Sequence, residues 1–161
     1  MPPIRLAWIA SAALMLGVTA PHLHAQTGRV CPDPAHPCPG FKAHDLSFVL
    51  PRDGVARAEV RSAQYFAVVL RSGRHCAIPE SARVEAQRLF PGRKVFSQRF
   101  ECDDDAENNV HYAPVDPQLA FLAVYAGGTR REANATLTAV QRTGHYPGAY
   151  LRRLQVVFVS P

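Results

Sequence analysis

The alternation of apolar and polar positions predicts strands and helices in turn between residues 64 and 159. Four segments rich in β-branched and aromatic residues indicate strands. They run from Gln64 to Leu70, Lys94 to Cys102, Ala120 to Gly127 and Leu151 to Val159. Two stretches between them, from Pro79 to Phe90 and from Thr129 to Gly144, place apolar residues on one side at helical spacing.

The second helix carries the strongest local signal. Thr129 and Glu132 fit a capping box, in which each side chain accepts the backbone N–H of the other residue. Gly144 suits the left-handed position that ends many helices. The order strand, helix, strand, strand, helix, strand is typical of an α+β fold. It predicts a ferredoxin-like sandwich with four antiparallel strands, two helices on one face and the other face open.

Segments outside this core have weaker patterns. A short apolar run at 44–50 predicts an extra edge strand, and the polar stretch 52–61 predicts a loop or a short helical turn. The acidic stretch 103–109 predicts a turn, and a less regular link through Pro114 and Pro117 follows it. None of these segments changes the predicted order of the core elements.

The N-terminal residues have the pattern of a secretory signal peptide. A single positive charge at Arg5 precedes a 15-residue apolar run from Leu6 to Ala20, and Ala25 offers a small residue before a cut. A membrane anchor is the alternative, although spanning a bilayer takes about 20 apolar residues. The mature protein is expected to be periplasmic or secreted and not to span a membrane. The predicted divisions are a signal peptide (1–25), a Pro-rich arm stapled by a disulfide (26–43) and an α+β domain (44–161).

The cysteine count is even, and an exported chain can oxidise all four thiols. Cys31 and Cys38 lie in one Pro-rich turn, where a local disulfide would order a segment that is poor in apolar residues. Cys76 and Cys102 would then pair, and they follow strands that end at the same edge of the predicted sheet. Two disulfides are therefore expected.

Candidate catalytic and metal-binding residues are scattered. A metal site formed by the thiols with His36 or His75 is an alternative to the disulfides, but the spacing fits no zinc pattern. No serine lies in a Gly-x-Ser-x-Gly setting, and the acidic run at 103–105 lacks the spacing of a calcium loop. We therefore expect no enzyme activity, no metal and no cofactor. The histidines that follow the leader are His36, His44, His75, His111 and His145.

Composition and charge narrow the class of partner. The chain has 161 residues, 47% hydrophobic and 19% charged, which fits one globular domain and is too short for a two-domain enzyme with a large cofactor. It has 18 basic and 13 acidic residues, a net charge of +5, and loss of Arg5 with the leader leaves 17 against 13, or +4. This surplus favours an anionic polymer or surface as partner.

Two stretches of the chain match the pattern of a known family. They read Tyr-Phe-Ala-Val-Val-Leu-Arg-Ser at 65–72 and Phe-Leu-Ala-Val-Tyr-Ala-Gly-Gly-Thr-Arg-Arg-Glu-Ala at 121–133, and a turn at 144–150 leads into the last strand. The region from 64 to 159 thereby resembles the SPOR (sporulation-related repeat) domain. Val69 stands where that family usually has Gln, and Arg-Ser-Gly at 71–73 replaces its Gly-Ser-Phe ending. The resemblance implies an exported envelope module whose open sheet face binds peptidoglycan glycan strands stripped of stem peptides.

Strand alternation divides the side chains of this sheet between its two faces. Apolar residues are expected to face the helices, namely Phe66, Val68, Leu70, Leu122, Val124, Leu154, Val156 and Phe158. Aromatic rings on the other face would stack on sugar C–H groups, while Arg and Gln would bond hydroxyl and acetamido groups. The candidate ligand contacts on that face are Tyr65, Val69, Phe121, Tyr125, Arg153 and Gln155.

Two alternatives to this glycan-binding hypothesis stay open. The arm and the 44–50 strand could cover the same face and turn its rings into a second small core. The same fold could also dock an envelope protein, as a periplasmic or secreted interaction module. Nucleic acid is not an expected partner of an exported protein, although RNA-binding sheets also present aromatic platforms.

Overall fold

A computed structural model describes residues 27–51, 59–102 and 108–159 of the chain. The predicted signal peptide and the segments 52–58 and 103–107 lie outside the described residues. Within the described residues the protein is α+β, with two helices and one curled sheet. The elements in chain order are β1 (Thr27–Gly28), β2 (Glu59–Ser62), β3 (Tyr65–Arg74), α1 (Glu80–Leu89), β4 (Val95–Ser97), β5 (Val110–Ala113), β6 (Leu119–Gly127), α2 (Arg130–Arg142) and β7 (Tyr150–Val159).

The sheet is larger than the four strands that the sequence predicts. Its strands follow the order β1-β2-β7-β3-β6-β4, and β5 pairs with β7 in addition. β2 and β3 lie one after the other along β7, so that Arg61 is opposite Val157 and Tyr65 is opposite Leu154. β5 pairs with β7 from Val110 to Ala113. Every pairing is antiparallel except that of the two-residue strand β1 with β2.

Both helices form where the sequence predicts them. The capping box of α2 is present, because the Glu132 amide donates to Thr129 Oγ1 (3.3 Å) and the Thr129 amide donates to Glu132 Oε2 (2.9 Å). Gly144 has the predicted left-handed conformation, with φ at +72°. Gly127, at the junction of β6 and α2, has φ at +104°, and an added Cβ would lie 2.7 Å from the Glu132 side chain. No helix in the described residues is long and apolar enough to cross a membrane.

Two apolar cores lie on opposite faces of the sheet. The first is formed between the sheet and the helices, and it includes Val68, Leu122, Val124, Ala86, Ala133 and Val140. The second lies on the other face, beneath the arm and β5, and it includes Leu46, Phe48, Tyr65, Phe96, Tyr112, Phe121, Leu154 and Val156. The face expected to be open is therefore a core over most of its area.

The orientation predicted for β7 is wrong. Leu154 and Val156 belong to the second core, whereas Leu151 packs against the helix-side core. Arg153 consequently lies on the helix side, with its guanidinium 5.9 Å from the centre of the Phe66 ring. Since Leu151 and Leu154 are three positions apart, a strand cannot point both to one face.

Four segments differ from their predictions. The 44–50 segment makes one isolated bridge, between Val30 and Phe48, and does not form a strand. The strand predicted from Lys94 to Cys102 stops at Ser97. The link before Pro114 contains β5, and the end of the polar 52–61 stretch forms β2. β2 and β5 both pair with β7, so their register depends on a strand far away in sequence.

Candidate binding surface at the end of the sheet

The middle of the predicted binding face is filled by other parts of the chain. Tyr65, Val69 and Phe121 are 1%, 2% and 4% exposed. The Tyr112 ring of β5 packs against Phe121 with 5.2 Å between ring centres, and Phe96 contacts Tyr65 at 6.0 Å. The covered-face alternative thus describes this protein, and the prediction that these three residues lie on an open surface is wrong.

The other three predicted contacts are dispersed. Tyr125 is partly buried and lines a shallow groove with prolines of the arm. Arg153 lies on the helix side of the sheet, as described above. Gln155 is partly buried and donates from Nε2 to the Ser62 carbonyl (3.0 Å), which bridges β7 and β2. The structure therefore does not gather the six predicted residues into one site.

Backbone hydrogen bonds and one buried cation hold the arm and the 44–50 segment over the second face. The Cys31 amide donates to the Ser47 carbonyl (2.8 Å), and the Ser97 amide of β4 donates to the His44 carbonyl (2.9 Å). The ammonium group of Lys94 donates to the Ala43 carbonyl (2.6 Å). The Leu46 amide donates to the buried hydroxyl of Tyr112 (3.0 Å). The arm and the 44–50 segment are thus hydrogen-bonded to the sheet at several points.

The link after β5 is fixed by Gln98, a fully buried side chain. Its Nε2 atom donates to the carbonyl oxygens of Asp116 (2.9 Å) and Leu119, and its Oε1 atom accepts from the Tyr112 amide (3.1 Å). One amide side chain therefore connects β5, the link and the start of β6. This arrangement leads the link across one end of the second face.

A buried polar cluster lies beneath the arm. His44 Nε2 is 2.9 Å from Asn108 Nδ2 and 3.6 Å from Asp45 Oδ1. Burial raises the pKa of Asp45 to about 7 and lowers the pKa of His44 to about 4, because each group is disfavoured in its charged form away from water. These residues are buried, so the cluster connects the 44–50 segment to the rest of the domain and offers no surface for a ligand.

One end of the second face stays open as a pocket of about 120 Å³, here called the sheet-end pocket. Its floor is apolar, and its rim carries the polar groups of Ser72, Tyr150 and Arg152. The residues that line it are Val69, Ser72, Gly73, Val115, Leu119, Ala120, Phe121, Tyr150, Arg152 and Leu154. Val69 and Phe121, two of the predicted contacts, reach this pocket from the core.

The rim of the sheet-end pocket is exposed and partly hydrogen-bonded. Leu119 and Tyr150 are 47% and 44% exposed, so both side chains are accessible at the mouth of the pocket. The hydroxyls of Ser72 and Tyr150 lie 3.3 Å apart, and Arg152 Nη2 donates to the Pro114 carbonyl (3.2 Å). Tyr150 lies in the turn predicted at 144–150, and the opposite orientation predicted for β7 places Arg152 on the helix side, so neither is among the predicted contacts.

Both predicted disulfides are present. Cys31 pairs with Cys38 and Cys76 pairs with Cys102, with Cα atoms 5.8 Å and 5.5 Å apart. No cysteine is left free.

Comparison of the chain with protein-family models, curated proteins and solved structures finds no match.

Proposed function

We propose that this protein is a non-catalytic, exported binding module of the cell envelope that recognises peptidoglycan glycan strands. The observation that supports it is the sheet-end pocket, where an apolar floor and a hydrogen-bonding rim lie side by side. The two disulfides fit an oxidising compartment such as the periplasm or the cell exterior. The proposed ligand site is therefore at the open end of the second face and not in its middle.

We further infer that β3, α1, β4, β6, α2 and β7 form a ferredoxin-like unit of the SPOR type. The order β7-β3-β6-β4 supports this inference. Each strand–helix–strand half then has a strand of the other half between its own two strands. The arm, β2 and β5 are additions to this unit, and they cover the face that a SPOR-like module would use.

The size of the sheet-end pocket favours a small apolar substituent. At about 120 Å³ the pocket is smaller than the cavities of about 150 Å³ that hold a benzene molecule in proteins. An acetamido group fits this volume, and its methyl would contact Val69 and Phe121. The sugar ring that carries it would then lie outside the mouth, against the exposed ring of Tyr150.

The polar rim can bond the remaining groups of such a sugar. Arg152 has five N–H donors in a planar fork, of which the described contacts use the one to Pro114. The hydroxyls of Ser72 and Tyr150 can each donate and accept. Removal of a stem peptide leaves a free carboxylate on the glycan, and a charge-assisted bond from Arg152 would favour that stripped form.

Co-sedimentation with purified sacculi tests the proposal. Binding should be stronger to sacculi whose stem peptides an amidase has removed than to untreated sacculi. Tyr150→Ala and Arg152→Gln should each weaken binding about tenfold, because each removes a contact worth about 1.4 kcal/mol. Leu119→Ala should also weaken it, whereas Leu89→Ala, which truncates an exposed leucine on α1, is the matched control.

Two results of the co-sedimentation would contradict the proposal. If folded Tyr150→Ala and Arg152→Gln proteins sediment with stripped sacculi as the native protein does, the sheet-end pocket is not the glycan site. If the native protein sediments with neither preparation, glycan recognition itself is refuted. Circular dichroism of each variant establishes that the fold is retained.

Protein docking is the second candidate, and one observation favours it. The second half of β7 pairs with both β2 and β5, but residues 150–154 pair with β3 alone in the described part of the chain. β5 ends at Ala113, and the following Pro114 has no amide hydrogen with which to continue the ladder. A partner strand can add to such an unpaired edge. Binding that requires intact envelopes and is absent from protein-free sacculi would favour this candidate.

A further inference from the structure

His75, Cys76 and Cys102 form a cluster of potential metal ligands. One ligand atom from each of the three residues lies within 4.8 Å of the other two. Cys76 is exposed at the turn after β3, whereas Cys102 is buried at the turn after β4. One residue of the disulfide is therefore open to solvent, and the other is held inside the domain.

We propose that reduction of the Cys76–Cys102 disulfide converts this cluster into a zinc-binding site. A dithiol reductant supplies two electrons and two protons, so the S–S bond is replaced by two thiols while the reductant becomes a disulfide. Zinc then binds the two thiolates and the imidazole, and the two thiol protons are released to solvent. The disulfide is the metal-free state of the same three residues.

The positions of the ligand atoms suit a tetrahedral ion. Zn–S distances near 2.3 Å and Zn–N distances near 2.0 Å place tetrahedral ligand atoms roughly 3.4–3.8 Å apart. The three atoms here already lie within 4.8 Å of one another. After reduction, binding of one ion would bring these atoms from separations of at most 4.8 Å to the tetrahedral spacing.

The hydrogen bond of His75 prepares the imidazole for a metal. Its Nε2 atom donates to the Phe100 carbonyl over 2.7 Å, which leaves the lone pair on Nδ1. Histidines that ligate metals usually donate their other ring N–H to a carbonyl or carboxylate in this way, which fixes the tautomer and the ring orientation. Two sulfurs and one nitrogen would leave a fourth position for water or an external ligand.

The second disulfide provides an internal control. In the residues that the structure describes, no comparable three-ligand group surrounds Cys31 and Cys38. The neighbouring His36 instead contacts Asp33 through Nδ1 (3.1 Å). Both pairs sit in one chain and both become dithiols on reduction. Only the Cys76–Cys102 pair should bind the metal with an imidazole.

Cobalt titration under anaerobic conditions tests the proposal, because Co²⁺ reports thiolate ligation by its near-ultraviolet charge-transfer absorption. Three proteins are reduced with a phosphine and titrated: the native chain, Cys31→Ser/Cys38→Ser and Cys76→Ser/Cys102→Ser. The first two should bind one equivalent of Co²⁺ with thiolate absorption, and excess Zn²⁺ should displace it. The third protein, and the oxidised native chain, should show no such absorption.

His75→Ala in the Cys31→Ser/Cys38→Ser background separates this site from a simple dithiol. Loss of the imidazole should weaken Co²⁺ binding at least tenfold and change the visible ligand-field bands. Equal binding with and without His75 would overturn the proposal, and so would equal binding by the two cysteine-pair variants. If reduction unfolds the chain, addition of Zn²⁺ should restore its far-ultraviolet dichroism, and failure to do so would also overturn it.

Discussion

Asp45 gives the sharpest test of the buried polar cluster, because its carboxyl group titrates near neutral pH. Burial raises its pKa from 3.8 to about 7, Lys94 and Lys42 lower it, and Glu80 raises it. A carboxyl whose pKa is raised on folding contributes its full stability below the unfolded-state pKa. That contribution is lost as the pH rises through the folded-state value. The neutral Asn of Asp45→Asn removes this dependence.

The size of the effect follows from the two pKa values of Asp45. With 3.8 in the unfolded chain and about 7 in the fold, proton linkage lowers the free energy of unfolding by about 2 kcal/mol at pH 5 and by about 4 kcal/mol at pH 8. The native protein should therefore lose about 2–3 kcal/mol relative to Asp45→Asn over this interval. Burial lowers the pKa of His44 to about 4, so its contribution is lost as the pH falls below 6.5. His44 is present in both proteins, so the desolvation of its own ring is common to both.

Urea unfolding followed by circular dichroism at four pH values between 5 and 8 measures this difference. Glu85→Gln, which neutralises an exposed carboxylate on α1, is the matched control for the loss of one negative charge. If the difference in the free energy of unfolding between Asp45→Asn and the native protein stays constant from pH 5 to pH 8, ionisation of the Asp45 carboxyl does not destabilise the fold. The assignment of Asp45 as a buried acid would then be wrong.

Two further substitutions test the packing of the sheet. Gly127→Ala should lower the free energy of unfolding by about 2–3 kcal/mol, because φ is +104° and the new Cβ would displace Glu132 from the α2 cap. Gly128→Ala, which has open space around its Cβ, is the control and should lower it far less in the same urea assay. Gln98→Leu should lower the free energy of unfolding by about 2–4 kcal/mol, because it leaves buried backbone groups of three segments unpaired. The control is Gln118→Leu, at an exposed position. Unchanged midpoints in either buried variant would refute the corresponding contact.

The elements with local determinants could be predicted from the sequence. The capping box of α2 and the left-handed Gly144 depend on residues within a few positions of one another. The pairing of Cys31 with Cys38 is similarly local, and the second pair follows once the first is formed. Local chemistry therefore identified both helices, the two disulfides and the four principal strands.

The candidate site could be predicted only in part. Val69 and Phe121 were assigned to the correct face, and they do form part of the sheet-end pocket. Arg152 was not, because β7 has apolar residues at both odd and even positions, so that period-two alternation allows either orientation. Tyr150 lies outside the predicted strand, in the turn at 144–150. A strand's orientation reverses with a shift of one residue. The opposite choice for β7 placed Arg153 and Gln155, and not Arg152, on the predicted binding face.

The sequence by itself determined the helices, the main strands, the disulfides and the face on which Tyr65, Val69 and Phe121 lie. Only the tertiary structure decided that this face is covered, that β2 and β5 extend the sheet, and that a pocket remains at one end. The physical reason is the range of the interactions. Caps and alternation act within a few residues, whereas the cover depends on long-range contacts such as that between the Leu46 amide and the Tyr112 hydroxyl.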